Sequence, residues 1–293
     1  MECELKGNLG PGVPIVDCHV HFIDSSVLDY PLFKGSELVQ RPYRPEDYRA
    51  AADGIPVERV VFVQAECARE QSYDEAVWIA QLAREDPMIG AIVAFAALER
   101  GDAVQADLDR LAEIPMVRGV RRLLQGEEDA DFALRPGYVA GVRHLARRNL
   151  ICELGINRRQ YAAAVTLCRQ CPEVRFVLDH LGVPDIAAGT LDPWRGHIAE
   201  LATLPNVWCK VSGAATQASR DGWTAEDLRP FIDCVLESFG PARCCFGSDW
   251  PVMLRATSWR RWVCALHELT ASLSLNERRA LFRETAKGLF MPE

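Results

Sequence analysis

Two histidines, His19 and His21, sit one residue apart in the short apolar run IVDCHVHF. Residues two apart on a strand face the same side, so both imidazoles enter one cavity if the run is extended. There they could ligate a divalent metal, bind a polar substrate group or exchange protons near neutrality. An HxH pair also arises as two exposed histidines, so its placement after IVDC carries the functional reading. His180 in FVLDHLGVP and Asp249 in FGSDWPV close two further apolar runs. A polar side chain ending such a run must reach solvent or a partner, which puts both in the same wet cleft or makes them local caps. Asp249 is the expected general base, since an ionised carboxylate can take the proton of a water attacking a carbonyl. His19, His21 and Asp249 are also the expected ligands of one divalent metal, zinc first, with Glu153 and His180 as further candidates. Without a metal, the three histidines would supply hydrogen bonds and charge stabilisation.

Arg121 in VRGVRRLL and Lys210 in VWCKVSG could hold a carboxylate, a hydroxyl or a developing oxyanion. A regular strand turns only one of Arg121 and Arg122 inward, and Arg121 is the one assigned. Gln64 and Glu66 add candidate substrate contacts. Trp250 could stack on a sugar-like ring or serve barrel packing. Asp179, adjacent to His180, is expected to point elsewhere if its strand stays regular.

Eight apolar segments must position these groups: 15–22, 57–64, 88–95, 117–124, 150–156, 174–180, 206–212 and 243–249. Helical patterns at 73–84, 138–148, 193–203 and 225–239 separate several of them, the last with a capping box at Thr224 and Asp227. Strands alternating with helices imply parallel pairing, and eight of them favour a closed (β/α)8 TIM barrel over an open doubly wound sheet. The glycines of GNLGPG follow no strand, and no GxGxxG or GxxxxGK[ST] phosphate motif occurs. Ser274 and Glu277 cap a C-terminal helix whose Leu281, Phe282, Ala286 and Leu289 would pack on the barrel. No linker divides the chain, so residues 1–293 are expected to form one domain. The region 24–48 is long enough to cover an active site.

A net charge of −8 argues against general nucleic-acid binding. The absence of a leader pattern or a long apolar span predicts a cytoplasmic protein with no membrane partner. The 11 cysteines are scattered through apolar patterns, including the CxxC pair Cys168 and Cys171, and read as buried free thiols.

Taken together, IVDCHVHF, VVFVQAE, VRGVRRLL, FVLDHLGVP, NVWCKVSG and FGSDWPV resemble the amidohydrolase-related family, in its branch of sugar-acid and dicarboxylate lactonases. The resemblance spans almost the whole chain. It implies a TIM barrel and a hydrolase of carbohydrate metabolism that opens a small polar or anionic lactone. It places His19 and His21 in the first-strand motif, His180 in the sixth and Asp249 in the last, where metal-dependent relatives bind metal and activate water. Some related lactonases work without tightly held metal, which leaves cofactor use open. Many metal-dependent members have a histidine ending strand five, where ICELGI presents Glu153. That departure fits one metal rather than two. A decarboxylase or cyclic-amide hydrolase of the same superfamily, and a noncatalytic binding barrel, are the alternatives. The oligomeric state is left open.

Overall fold

Strands buried on both faces read as near-continuous apolar runs, and eight such runs form the sheet of this computed structural model. They are β1 (Ile15–Val20), β2 (Val57–Val63), β3 (Ile89–Ala94), β4 (Val117–Arg121), β5 (Ile151–Leu154), β6 (Phe176–Leu178), β7 (Val207–Val211) and β8 (Cys244–Phe246). The structure describes residues 13–52, 54–219 and 222–291, so the GNLGPG turn lies outside the described residues. All strand pairs are parallel and follow chain order. The barrel closes where Asp249 N–H donates to His19 O at 2.8 Å and His21 N–H donates to Trp250 O at 2.7 Å. A helix follows each strand: Pro45–Ala52, Ser72–Glu85, Gln105–Ala112, Pro136–Ala146, Tyr161–Gln170, Trp194–Ala202, Ala225–Phe239 and Trp259–Leu269. The fold is the α/β TIM barrel expected from the sequence.

Inside the barrel, Val16, Cys18, Val61, Val63, Ala91, Val93, Ile151, Val177 and Cys245 pack with Ala286, Leu289 and Phe290 of the helix Thr285–Phe290, which thereby joins the barrel core. The capping boxes at Thr224 and Ser274 both form. None of the ten described cysteines is in a disulfide, and Cys168 and Cys171 are buried. No helix among the described residues is long and apolar enough to cross a membrane.

The strands end earlier than the apolar runs suggest. Residues 179–180 and 247–249 read as strand, yet β6 stops at Leu178 and β8 at Phe246. The backbone leaves the ladder into left-handed turns, with φ +52° at His180 and +64° at Asp249. These non-glycine residues carry strain of about 1–2 kcal/mol each, and both line the barrel mouth.

Glu75, on the helix after β2, is buried, and its Oε1 accepts from Ala65 N–H at 3.1 Å. Burial pushes its carboxyl up to about 8. The unfolded value is about 4.3, so the protonated form's stabilisation is full below that pH and is lost as pH rises through the folded value. Glu75→Gln removes this titration while keeping the shape. Its Tm is expected to rise relative to wild type between about pH 5 and pH 9; a constant difference in thermal melts across that range would refute the assignment.

Candidate active site

The mouth of the barrel, at the C-terminal ends of the strands, holds a cavity of about 570 Å³. That volume suits a small molecule. His21, Glu66, Arg121, His180, Asp249 and Arg255 line it with polar groups, and Leu32, Phe33, Leu123 and Val252 add apolar wall. Leu32 and Phe33 come from the 24–48 region, which therefore forms part of the wall. Arg255 Nη2 ties that region to the mouth through Ser36 Oγ at 3.0 Å.

An irregularity in the β1–β2 register between Asp17 and Val20 decides where the first-strand polar groups go. Asp17 has the same alternation as His19 and His21, but it points into the layer between sheet and helices. There it accepts from Tyr48 Oη at 2.8 Å, Trp259 Nε1 at 3.3 Å and Ser248 N–H at 2.8 Å. These bonds pin β1 against the segment after β8. A regular strand would have sent Asp17 to the cavity, so sequence alternation alone did not single out this positioning role.

His21 lines the cavity, whereas His19 is fully buried beside it, with ring centroids 5.0 Å apart. His21 Nδ1 is 2.7 Å from Val63 O, and because a carbonyl only accepts, that nitrogen carries the proton. Its Nε2 faces Asp249 Oδ1 at 3.3 Å. His19 Nε2 is 3.7 Å from the same oxygen. His180 Nδ1 lies 2.9 Å from Ser212 Oγ, and its ring packs 4.4 Å from that of His19. Burial holds both His19 and His180 below the usual imidazole range, with Lys210 adding to the effect at His19.

Gly213 makes room for the His180 ring. Its φ is +65°, and a Cβ there would lie 2.8 Å from His180 Nδ1. Gly213→Ala is expected to lower kcat/KM by about 10–100-fold through displacement of the ring. The added backbone strain costs about 1 kcal/mol, or roughly 2 °C in Tm. Unchanged kinetics with the expected Tm loss would show that the ring position does not matter.

Beneath these groups lies a buried ionic network. Lys210 Nζ contacts Glu153 Oε1 at 2.5 Å, Asp179 Oδ1 at 3.2 Å and His19 Nδ1 at 3.1 Å. Arg121 Nη1 contacts Asp179 Oδ2 and His19 Nε2, each at 3.2 Å, while Nη2 donates to Gln64 O at 2.6 Å. Burial opposes the Asp179 charge, but Lys210, His19 and Arg121 outweigh it and hold the carboxyl well below the usual range. Burial likewise opposes the Lys210 charge, and Asp179 and Glu153 raise it above the ordinary ammonium range. Burial pushes Glu153 up, against the pull of Lys210.

Several expectations are corrected here. Asp179 points into the network, because β6 ends before it and the left-handed turn at His180 removes the alternation. Lys210 is fully buried and saturated by acids, so it supports the histidines from below instead of touching substrate. Glu153 Oε1 contacts Lys210, and Glu153 converges with His19 and Asp179 as a donor group apart from His180 and Asp249. Gln64 is buried with its side chain spent on Glu66, to which Nε2 donates at 2.5 Å. Trp250 is 1% exposed and packs edge-on against Phe22, Tyr43 and Tyr48, so it serves barrel packing and stacks on no ligand. Arg122 turns away to Glu99 and Glu127, leaving Arg121 at the mouth. Ser212 and Gly213 were not singled out in the sequence; the VSG after Lys210 was the only signal.

One metal ion fits this arrangement. Donor atoms of His19, His180 and Asp249 lie within 4.8 Å of one another. His21 falls outside that converging group, although its Nε2 reaches the same carboxylate oxygen. A second group of acids and histidine, His19, Glu153 and Asp179, already surrounds the Lys210 ammonium. Among the described residues, the His19, His180 and Asp249 group suits a single divalent ion.

A parallel eight-stranded barrel carrying histidines at the end of β1, a histidine after β6 and an aspartate after β8 defines a hydrolase of the amidohydrolase superfamily. The amidohydrolase family profile matches residues 16–291, and the chain belongs to that family. It is 34% identical over 300 residues to an L-fucono-1,5-lactonase of Burkholderia multivorans, covering 95% of this chain and 96% of that one. It is 28% identical over 251 residues to a 4-sulfomuconolactone hydrolase of Rhizobium radiobacter, covering 80% and 75%. A zinc-bound amidohydrolase structure from Burkholderia multivorans superposes with TM-score 0.84 at 32% identity, over 94% of this chain and 99% of that one.

Proposed function

We propose that this hydrolase opens the ring of a small polar lactone, of sugar-acid or dicarboxylate type, by Asp249-assisted attack of water. The observation that carries the reading is the Asp249 carboxylate. It lies at the cavity, 3.3 Å from His21 Nε2, and among the described residues no arginine or lysine pairs with it. It is thus free to take a proton. The lactonases and lactone hydrolase similar to this chain favour a cyclic ester as substrate.

Water bound between Asp249 and the lactone carbonyl attacks the carbon as Asp249 accepts its proton. Arg121, which lines the cavity, stabilises the oxyanion through its charge. Collapse breaks the ring C–O bond, and the departing oxygen recovers the proton from Asp249. The product hydroxy acid ionises at neutral pH and releases one proton to solvent. His180, oriented by Ser212, and His21, oriented by Val63 O, fix the substrate and water. His19, His180 and Asp249 would hold a divalent ion, which when bound polarises the carbonyl and acidifies water.

The test is proton release by purified protein on a panel of sugar-acid lactones, dicarboxylate lactones and cyclic amides, as isolated and after chelation. Lactone opening supports the reading. Loss on chelation with recovery on adding zinc assigns metal assistance, whereas chelator-resistant turnover assigns the electrophilic role to Arg121 and the histidines. No opening of any lactone, or release of carbon dioxide instead, would overturn it.

A further inference from the structure

Glu66 occupies a built position in this cavity for which the water-attack scheme has no use. It follows β2 with φ +53°, one of three non-glycine residues at positive φ that line the mouth, with His180 and Asp249. Two bonds hold it there. Its own N–H donates to Gln64 Oε1 at 2.8 Å, and Gln64 Nε2 donates back to Glu66 Oε1 at 2.5 Å. Gln64 is itself buried, so this clamp is rigid. Strain retained at a cavity wall, with a buried partner committed to maintaining it, points to a role in what the cavity holds. Among the described residues Glu66 has no ion-pair partner, and its Oε2 has no hydrogen-bond donor.

The charges around it narrow the ligand. Glu66 and Asp249 present two carboxylates to the cavity. Of the two arginines lining it, Arg121 is bonded to Asp179 and Gln64 O, already feels the Glu66 charge and serves the reacting carbonyl, while Arg255 stands exposed at the rim, tied to Ser36. A ring carrying a free carboxylate would meet two like charges and one rim cation. A ring carrying hydroxyls would instead offer O–H donors to Glu66 Oε2, in a bond strengthened by the carboxylate charge.

Resting on the lactonase reading, we infer that Glu66, held by the Gln64 clamp, is the specificity residue that selects neutral polyhydroxylated lactones and rejects carboxylated ones. The experiment compares kcat/KM for three probes: a sugar-acid 1,5-lactone, a carboxylated muconolactone and unsubstituted δ-valerolactone. Wild type is expected to prefer the sugar lactone to the carboxylated one by about 100-fold or more. Glu66→Gln keeps the shape but loses the charge, at about 1.5–3 kcal/mol for a charged hydrogen bond. The sugar-lactone to valerolactone ratio should therefore fall by about 10–100-fold, and the carboxylated-to-sugar ratio should rise. Glu66→Ala should reproduce both shifts. Equal losses on all three probes would make Glu66 merely structural and overturn the inference while leaving the lactonase reading intact. A wild-type preference for the carboxylated lactone would also overturn it. Opening of none of the three would defeat the lactonase reading itself.

Discussion

Asp249→Asn is expected to lower kcat for lactone opening by about 10²–10⁴-fold, the usual worth of a positioned general base. Asparagine matches the carboxylate in shape but cannot accept the proton of an attacking water. The fold around it should survive, because the closing bond at this residue runs from its backbone N–H to His19 O and does not involve the side chain. The loss should fall on kcat with KM little changed, the pattern of an interaction realised in the transition state. Hydrolysis within about threefold of wild type across pH 6–9 would remove Asp249 from the base role. Because Asp249 is also in the converging donor group, metal content after desalting should be measured on the same sample. Retained zinc with lost turnover isolates the proton-accepting role.

Lys210→Met should have the largest effect on stability. The ammonium is fully buried and contacts Glu153 and Asp179, so its removal leaves two buried carboxylates with Arg121 as the one nearby cation among the described residues. Breaking a buried pair in this way costs about 3–5 kcal/mol. For a chain of this size that is roughly 6–10 °C in Tm. The deficit should depend on pH with a definite sign. Burial already raises Glu153, and without Lys210 opposing it the carboxyl rises further. A group raised in the folded state stabilises fully below its unfolded value of about 4.3, and that contribution is lost as pH rises through the folded value. The variant should therefore lie nearest wild type at about pH 5 and furthest at about pH 8. Adding Glu153→Gln should recover part of the loss at the higher pH. A Tm within about 2 °C of wild type at both pH values would show that the network is not structural.

The barrel was legible because parallel strands buried on both faces leave eight apolar runs separated by helical patterns, and closure follows from their number. The residues at the mouth were legible where a polar side chain ended such a run, as with His180 and Asp249. What escaped was set by departures from regular geometry. Asp179 was sent outward by a strand alternation that stops one residue before it. Asp17 shares the alternation of His19 and His21, but a register shift separates it from them. Lys210 and Glu153 were recognised as polar groups on the right strands. That they satisfy each other could not be read, because which inward residues meet across the barrel depends on strand register and tilt. The Gln64–Glu66 clamp was hidden for a simpler reason: two residues next but one in sequence, each read as a separate contact, spend their side chains on each other.

The seam between β1 and β8 carries a consequence for how the molecule comes into being. His19 and His21 meet Asp249 only across bonds that join residues more than two hundred positions apart along the chain. Long-range pairings of this kind carry a large loop-closure cost and tend to form late. A partly folded chain with most of its strands in place would still lack the juxtaposition of base and imidazoles. During refolding, recovery of turnover should therefore lag recovery of helical signal, making the enzyme's own activity a clock for ring closure. A circular permutant that joined the two ends and opened the chain elsewhere would shorten this slow long-range encounter severalfold along the chain.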